Sequence, residues 1–211
     1  MQNSIDRPQR HSALVARELA RLDIDIATLS DVRCAEQGSL AQDGADYTLF
    51  CSRRNKDKRP LSGVSFMIKT SSARKLQNLP VDYSDRLMSF RLPIQDKKFA
   101  TVLSVHAPTM QAETRIKEAF YRDPHNLLRQ VDSKDELLIL GDFNARVGRG
   151  FELWKGVLGR HEIGSCNDNG LLLLEFCSEH QLVITNTLLK RKDRFKATWR
   201  HPRSTYWYLL D

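Results

Sequence analysis

From residue 24 to residue 107 the chain reads as one short apolar run after another, and no helical period separates several of them. The runs at 24–29, 47–52, 64–69, 86–92 and 99–107 each have the length of a strand and are bounded by polar or turn-forming residues. The run at 86–92 alternates, with Leu87, Ser89 and Arg91 on one face and Met88, Phe90 and Leu92 on the other. Consecutive strands without intervening helices exclude a simple βαβ repeat and point to an α/β sandwich with mixed sheets.

Helices fill the gaps that remain. Val15, Leu19 and Leu22 are spaced for a helix over 12–22, and residues 113–131 form another that Pro124 splits or restarts. Asp168-Asn-Gly opens a third, which runs to about His180. Further strands are expected at 137–143, 182–186, 197–200 and 206–211. With 211 residues and neither a repeat nor an interior linker, one domain over 1–211 is expected. The longest aliphatic stretches, 137–140 and 171–174, are four residues each, far below a membrane span. The polar start lacks an apolar signal core, so no secretion signal and no membrane are expected, and the setting is read as intracellular. The spacing of Cys34, Cys51, Cys166 and Cys177 gives neither a zinc motif nor a disulfide framework, and they read as ordinary thiols.

Charge is concentrated. Lys and Arg total 33 against 26 acids, yet residues 53–59 hold five bases and one acid, and residues 190–203 hold seven bases and one acid. Without these two segments the remainder has 21 bases and 24 acids, so the whole positive surplus lies in them. Focused patches suit phosphate backbones, and aromatic residues within or beside them suit base stacking. Arg53, Arg54, Lys190, Arg191, Lys192, Trp199 and Trp207 are the candidate nucleic-acid contacts.

The segment with the most chemical content is Leu140-Gly-Asp-Phe-Asn-Ala-Arg-Val-Gly148. Asp142 and Asn144 are two residues apart, so on an extended chain both side chains point the same way. A carboxylate can take a proton from water while a neutral amide orients that water without adding repulsive charge. Asp31 and His106 end other strands, and Asp211 follows Trp207. Acids and a histidine converging on one pole of a sheet would build a metal-assisted hydrolase site.

Gly141-Asp-Phe-Asn144, preceded by Ser104-Val-His-Ala-Pro-Thr109 and followed by Trp207-Tyr-Leu-Leu-Asp211, resembles the endonuclease/exonuclease/phosphatase superfamily. Ser84-Asp-Arg-Leu-Met88, Asn167-Asp-Asn-Gly-Leu-Leu-Leu-Leu174, Ile184-Thr-Asn-Thr187 and Thr198-Trp-Arg-His-Pro-Arg-Ser204 look most similar to one subgroup. That subgroup is the apurinic-type endonuclease domain of RTE-class LINE retrotransposons, with the craniofacial development protein 2-like sequences. The resemblance implies a DNase I-like, four-layer α/β sandwich with two mixed sheets. It implies hydrolysis of DNA phosphodiesters with one Mg²⁺ or Mn²⁺; a monomer is expected beside it, in an intracellular setting for which the nucleus is a plausible place. It assigns the nucleophilic water to Asp142, its orientation to Asn144 and metal binding to Asp31, at a position where the family carries Glu. His106 stands where the family usually has a phosphate-contacting Tyr, and Asp211 matches a carboxylate that orients a later catalytic His. The family's first strand would precede Met1 and its last strand would follow Asp211. The expected activity is therefore weakened or absent, the alternatives being a non-catalytic nucleic-acid-binding protein and, third, a small-molecule phosphatase.

Overall fold

A computed structural model describes residues 6–31, 38–41, 46–52, 63–192, 196, 199–200 and 207–208. They divide between two compact units, residues 1–106 with 126–141 and residues 107–125 with 142–211.

In the first unit, helix α1 (Asp6–Arg21) is followed by strands β1 (Ile26–Ser30), β2 (Gly38–Ala41), β3 (Tyr47–Cys51) and β4 (Val64–Lys69). These strands form a sheet in the order β1-β4-β3-β2, antiparallel at each pairing. Side chains alternate across a strand, so the register decides which residues share a face. Phe66 pairs with Phe50 on one side and Thr28 on the other, whereas Met67 pairs with Leu49 and Ala27. Met67, Tyr47, Leu49 and Cys51 pack with Ala16, Val15 and Leu19 of α1. Val64, Phe66, Ile68 and Phe50 face the other way, into the space between the sheets. Because β4 is covered on both faces, it reads as a nearly continuous apolar run.

After the short helix α2 (Thr70–Ala73), the second sheet contains β5 (Val81–Ser84), β6 (Leu87–Pro93), β7 (Phe99–His106) and β8 (Glu136–Asp142), in the order β5-β6-β7-β8. Strands β5, β6 and β7 pair antiparallel. Ala107, just beyond β7, donates its N–H to the Asp142 carbonyl at 2.9 Å. Hydrogen-bonded neighbours whose C-terminal ends coincide run parallel, and the crossover carrying α3 (Thr114–Leu128) supplies the connection this needs. Met88, Phe90 and Val102 complete the inter-sheet core, where the Phe66 and Phe90 rings meet edge to face at 4.7 Å. Leu87, Leu103 and Val105 on the other face are also buried, so this sheet too is covered on both sides. Gly141 permits the close approach of β8: a Cβ there would lie 1.9 Å from the Val105 carbonyl oxygen, and its φ is +148°.

Three expectations change. Pro124 lies inside α3 without dividing it, since Phe120 and Pro124 are both buried on one face and this packing holds the turn together. The segment expected as a strand at 182–186 runs into a 3₁₀ turn at Thr185–Leu188. There the Thr187 hydroxyl turns back to the Ile184 carbonyl and accepts from Gly159 N–H, side-chain bonds that compete with a ladder. Cys51 is disulfide-bonded while Cys166 and Cys177 are free. Tertiary approach, which spacing along the chain does not reveal, decides such pairing. Strands β2 and β5 went unseen because they are only four residues long and are rich in Gly, Ser or Asp.

The second unit contains α4 (Asp168–Glu179), the long loop before it and a two-residue pairing of β9 (Trp199–Arg200) with β10 (Trp207–Tyr208). Helix α4 buries Leu173, Leu174, Phe176 and Cys177, and burial pushes the Cys177 thiol up to about 12. Among the described residues no helix is long and apolar enough to cross a membrane.

Candidate active site

Strand β8 delivers Asp142 to its C-terminal end, where the chain turns. Asn144 donates its backbone N–H to Asp142 Oδ1 at 2.8 Å and takes φ +50°, a left-handed conformation that Asn tolerates better than most residues. The turn uses one carboxylate oxygen. The other has no hydrogen-bond partner among the described residues and remains available as a proton acceptor. The Asn144 amide donates Nδ2–H to the Ala107 carbonyl at 2.9 Å, which fixes the side chain and leaves its oxygen as the group able to orient a ligand.

Two asparagines that the sequence reading gave no role hold this turn. Asn169 is 3 % exposed, and its Nδ2 donates to the Pro108 carbonyl (2.9 Å) and to the Asn144 carbonyl (3.0 Å). Both partners are acceptors, so only this orientation of the amide fits. Its Oδ1 is buried without a hydrogen-bond partner among the described residues. Asn167 caps α4 by accepting from Gly170 N–H (2.8 Å) and also accepts from Arg146 N–H (3.0 Å). Gly170 lets the helix start approach the loop, since a Cβ there would lie 1.9 Å from the Arg146 carbonyl oxygen. The signal was present: Asn167-Asp-Asn-Gly170 is more than a helix start, because one asparagine is needed for the cap and another for the clamp.

In the first unit the structure brings Asp31 and His106 together. Asp31 follows β1 with φ +58°, and its Oδ1 lies 3.7 Å from His106 Nδ1, too far for a hydrogen bond. The Asp31 side chain is 73 % exposed and that of His106 only 8 %. The His106 backbone is fixed by a reciprocal pair with Arg86: His106 N–H donates to the Arg86 carbonyl and Arg86 Nη1 donates to the His106 carbonyl. Among the described residues His106 Nδ1 is buried without a hydrogen-bond partner. An exposed carboxylate suits a hard cation, because Mg²⁺ keeps several waters and takes only one or two protein carboxylates beside substrate phosphates. Asp31 therefore fits such an ion, and His106 stands behind it rather than in the open.

Of the basic candidates, Lys190, Arg191 and Lys192 are exposed. Lys190 and Arg191 line a groove of about 740 Å³ in the second unit with Arg149, Arg160 and Lys196. The Arg160 guanidinium lies 4.5 Å above the centre of the Phe151 ring, which presents an aromatic surface beside these cations. Arg149, Arg160 and Phe151 were missed because they are scattered along the loop rather than clustered in sequence. Arg53, Arg54 and Asp211 lie outside the described residues, and Trp199 and Trp207 are described as backbone only.

Comparison with known proteins agrees with this architecture. Two curated relatives are named craniofacial development protein 2. The one from Bos taurus is 34 % identical over 197 residues, 92 % of this chain and 31 % of its own length. The one from Tragulus javanicus is 33 % identical over 193 residues, 90 % of this chain and 32 % of its own length. The chain thus spans about a third of the length of these relatives. Among solved structures, the Xenopus laevis APE2 catalytic domain superposes with a TM-score of 0.50 at 17 % identity, covering 81 % of this chain and 64 % of that one. This likeness supports a shared DNase I-like fold. The Endonuclease/Exonuclease/phosphatase family matches residues 2–208, and the chain belongs to that family.

Proposed function

We propose that this protein is a divalent-metal-dependent phosphodiesterase acting on DNA. Members of the family generally depend on a divalent metal. The observation that carries the reading is the turn at the end of β8, where one Asp142 carboxylate oxygen has no partner among the described residues while Asn144 is clamped by Ala107 and Asn169. Asp142 takes the proton of the attacking water, and the Asn144 amide oxygen orients that water. Asn169 positions Asn144 without touching the reacting atoms. Asp31 would hold the cation, one Mg²⁺ or Mn²⁺, with the buried His106 imidazole behind it at 3.7 Å. Bound there, the cation would neutralise charge on the scissile phosphate. Asp211 is assigned the orienting carboxylate of the family pattern.

A DNA substrate is supported by the groove in which Arg149, Arg160, Lys190, Arg191 and Lys196 outnumber the acids Glu152 and Glu162, an excess that suits a polyanion better than a small ester. The similarity of the Asn167–Leu174 and Thr198–Ser204 motifs to RTE-class LINE endonuclease domains supports the same choice and a retrotransposon origin. The test compares relaxation of supercoiled plasmid with release of nitrophenol from p-nitrophenyl phosphate, each in Mg²⁺, Mn²⁺ and EDTA. Weak metal-dependent nicking with no esterase activity is expected. Hydrolysis of the small ester alone would select a phosphatase, and DNA binding without nicking in either metal would select a binding protein.

A further inference from the structure

Away from Asp142 and Asp31, the second unit brings together the ends of two helices. His125 lies in the last turn of α3, Glu179 is the last residue of α4 and His180 is the C-cap of α4. His125 Nδ1 is 3.0 Å from His180 Nε2 and 3.4 Å from Glu179 Oε1, and the three ligand atoms lie within 4.8 Å of one another. We propose that His125, Glu179 and His180 bind a transition-metal dication of the Zn²⁺ class, pinning the end of α3 to the end of α4.

The argument is geometric and chemical. Tetrahedral Zn²⁺ with nitrogen or oxygen ligands at about 2.0–2.1 Å sets neighbouring ligand atoms about 3.3–3.4 Å apart. Two edges, 3.0 and 3.4 Å, lie close to that separation and the third pair lies within 4.8 Å, so an ion would draw the His180 and Glu179 ligand atoms together. Without an ion His125 Nδ1 serves two partners with one position: protonated it donates to His180 or to Glu179, and bare it accepts from His180 while facing the Glu179 carboxylate. A cation satisfies all three groups together. Both helices end here, so their carbonyl ends turn negative potential toward the ion. The Phe176 ring packs against the His180 ring at 4.8 Å and steadies it, while the Glu179 side chain is 60 % exposed and leaves a path for the ion.

Two imidazoles and one carboxylate suit Zn²⁺ and its neighbours, whereas Mg²⁺ takes oxygen ligands, so this site is chemically separate from Asp31. Three protein ligands leave a fourth position for water. His125 and His180 are 55 residues apart, so no sequence spacing announces the site.

The test uses the protein purified without a histidine tag and stripped with EDTA. Calorimetric titration with Zn²⁺ should give one site that millimolar Mg²⁺ does not displace, and Co²⁺ should give the visible bands of a four-coordinate ion. Zn²⁺ at about a hundredfold above its Kd should raise Tm by roughly 5–10 °C. His125→Asn and His180→Asn should each weaken binding by at least about 10–100-fold, as loss of even a supporting residue does. Glu179→Gln gives a milder loss in a variant that changes no buried group, and Asp31→Ala leaves Zn²⁺ binding unchanged. A stripped protein that takes up no Zn²⁺, or His125→Asn and Glu179→Gln variants that bind it like the parent, would overturn the proposal. These readouts do not depend on nuclease activity, so this site and the proposed reaction fail or stand separately.

Discussion

Each unit buries apolar side chains, but the two differ in what else fixes their segments internally. In the first, the inter-sheet cluster of Phe50, Val64, Phe66, Ile68, Met88, Phe90 and Val102 consists of apolar side chains presented at alternate positions. In the second, the loop before α4 is held by polar side chains bonded to backbone: Asp142, Asn144, Asn167, Asn169 and Thr187 each bridge segments distant in sequence or close a turn. Apolar packing tolerates exchange of like for like, whereas a bridging amide is specific to its atoms. A scaffold built on alternation can therefore carry a site built on individual donors and acceptors.

The largest expected effect tests the backbone contact on which the sandwich depends. Gly141→Ala places a methyl group 1.9 Å from the Val105 carbonyl oxygen at φ +148°, so the expected cost exceeds about 4 kcal/mol, and a soluble product with an unchanged melt would break the account. Gly170→Ala makes an equally close contact with Arg146 but should open only the second unit. Hydrogen exchange would then rise at Arg146 and position 170 with little change along β4, and equal loosening of β4 would erase the contrast between the units.

Next comes the core itself. Phe66 is fully buried, and Phe66→Ala should cost roughly 3–5 kcal/mol in urea unfolding, against about 1–3 kcal/mol for Asn169→Ala. The order should reverse for catalysis: Asn169→Ala loosens Asn144 and should reduce DNA cleavage at least about tenfold, while Phe66→Leu leaves it near the parent value.

Smaller effects refine the picture. Arg91 donates two bonds to Asp135 (2.6 and 2.7 Å) and Thr101 donates a third, and these hold the Asp135 carboxyl below the usual carboxylate range. A lowered pKa contributes stability above the unfolded value of about 4 and loses it as pH falls through the folded value. The first unit should therefore weaken in acid, and Arg91→Gln should flatten that limb in melts between about pH 2 and pH 5. For the groove, neutralising Lys190, Arg191 and Lys192 together should reduce the salt slope of DNA binding by up to about three phosphate contacts.

The same contrast explains what was legible in the sequence. The strand at 64–69 was read residue for residue, and those at 47–52, 86–92 and 99–107 to within a residue at each end, because burial of alternate side chains leaves a periodic trace. Asp142 and Asn144 stood out because a carboxylate and an amide two apart follow an apolar strand. Asn169 did not, since its role depends on reaching the Pro108 carbonyl 61 residues away. The 3₁₀ turn at Thr185–Leu188 was hidden for a similar reason: Leu182, Val183 and Ile184 look like a strand until the Thr187 hydroxyl takes the Ile184 carbonyl. Periodic burial can be read locally, but a single hydrogen bond between distant segments cannot.

The most direct test of the central claim is Asp142→Asn, assayed for DNA binding by fluorescence anisotropy and for metal-dependent plasmid nicking in the same preparation. The substitution keeps an acceptor for Asn144 N–H and so preserves the turn, while it removes the group that takes the proton from water. The account predicts affinity within about twofold of the parent and cleavage reduced at least about 100-fold, the lower range attributed to a general base. Nicking at the parent rate with the turn intact would show that Asp142 is not the base and would contradict the account.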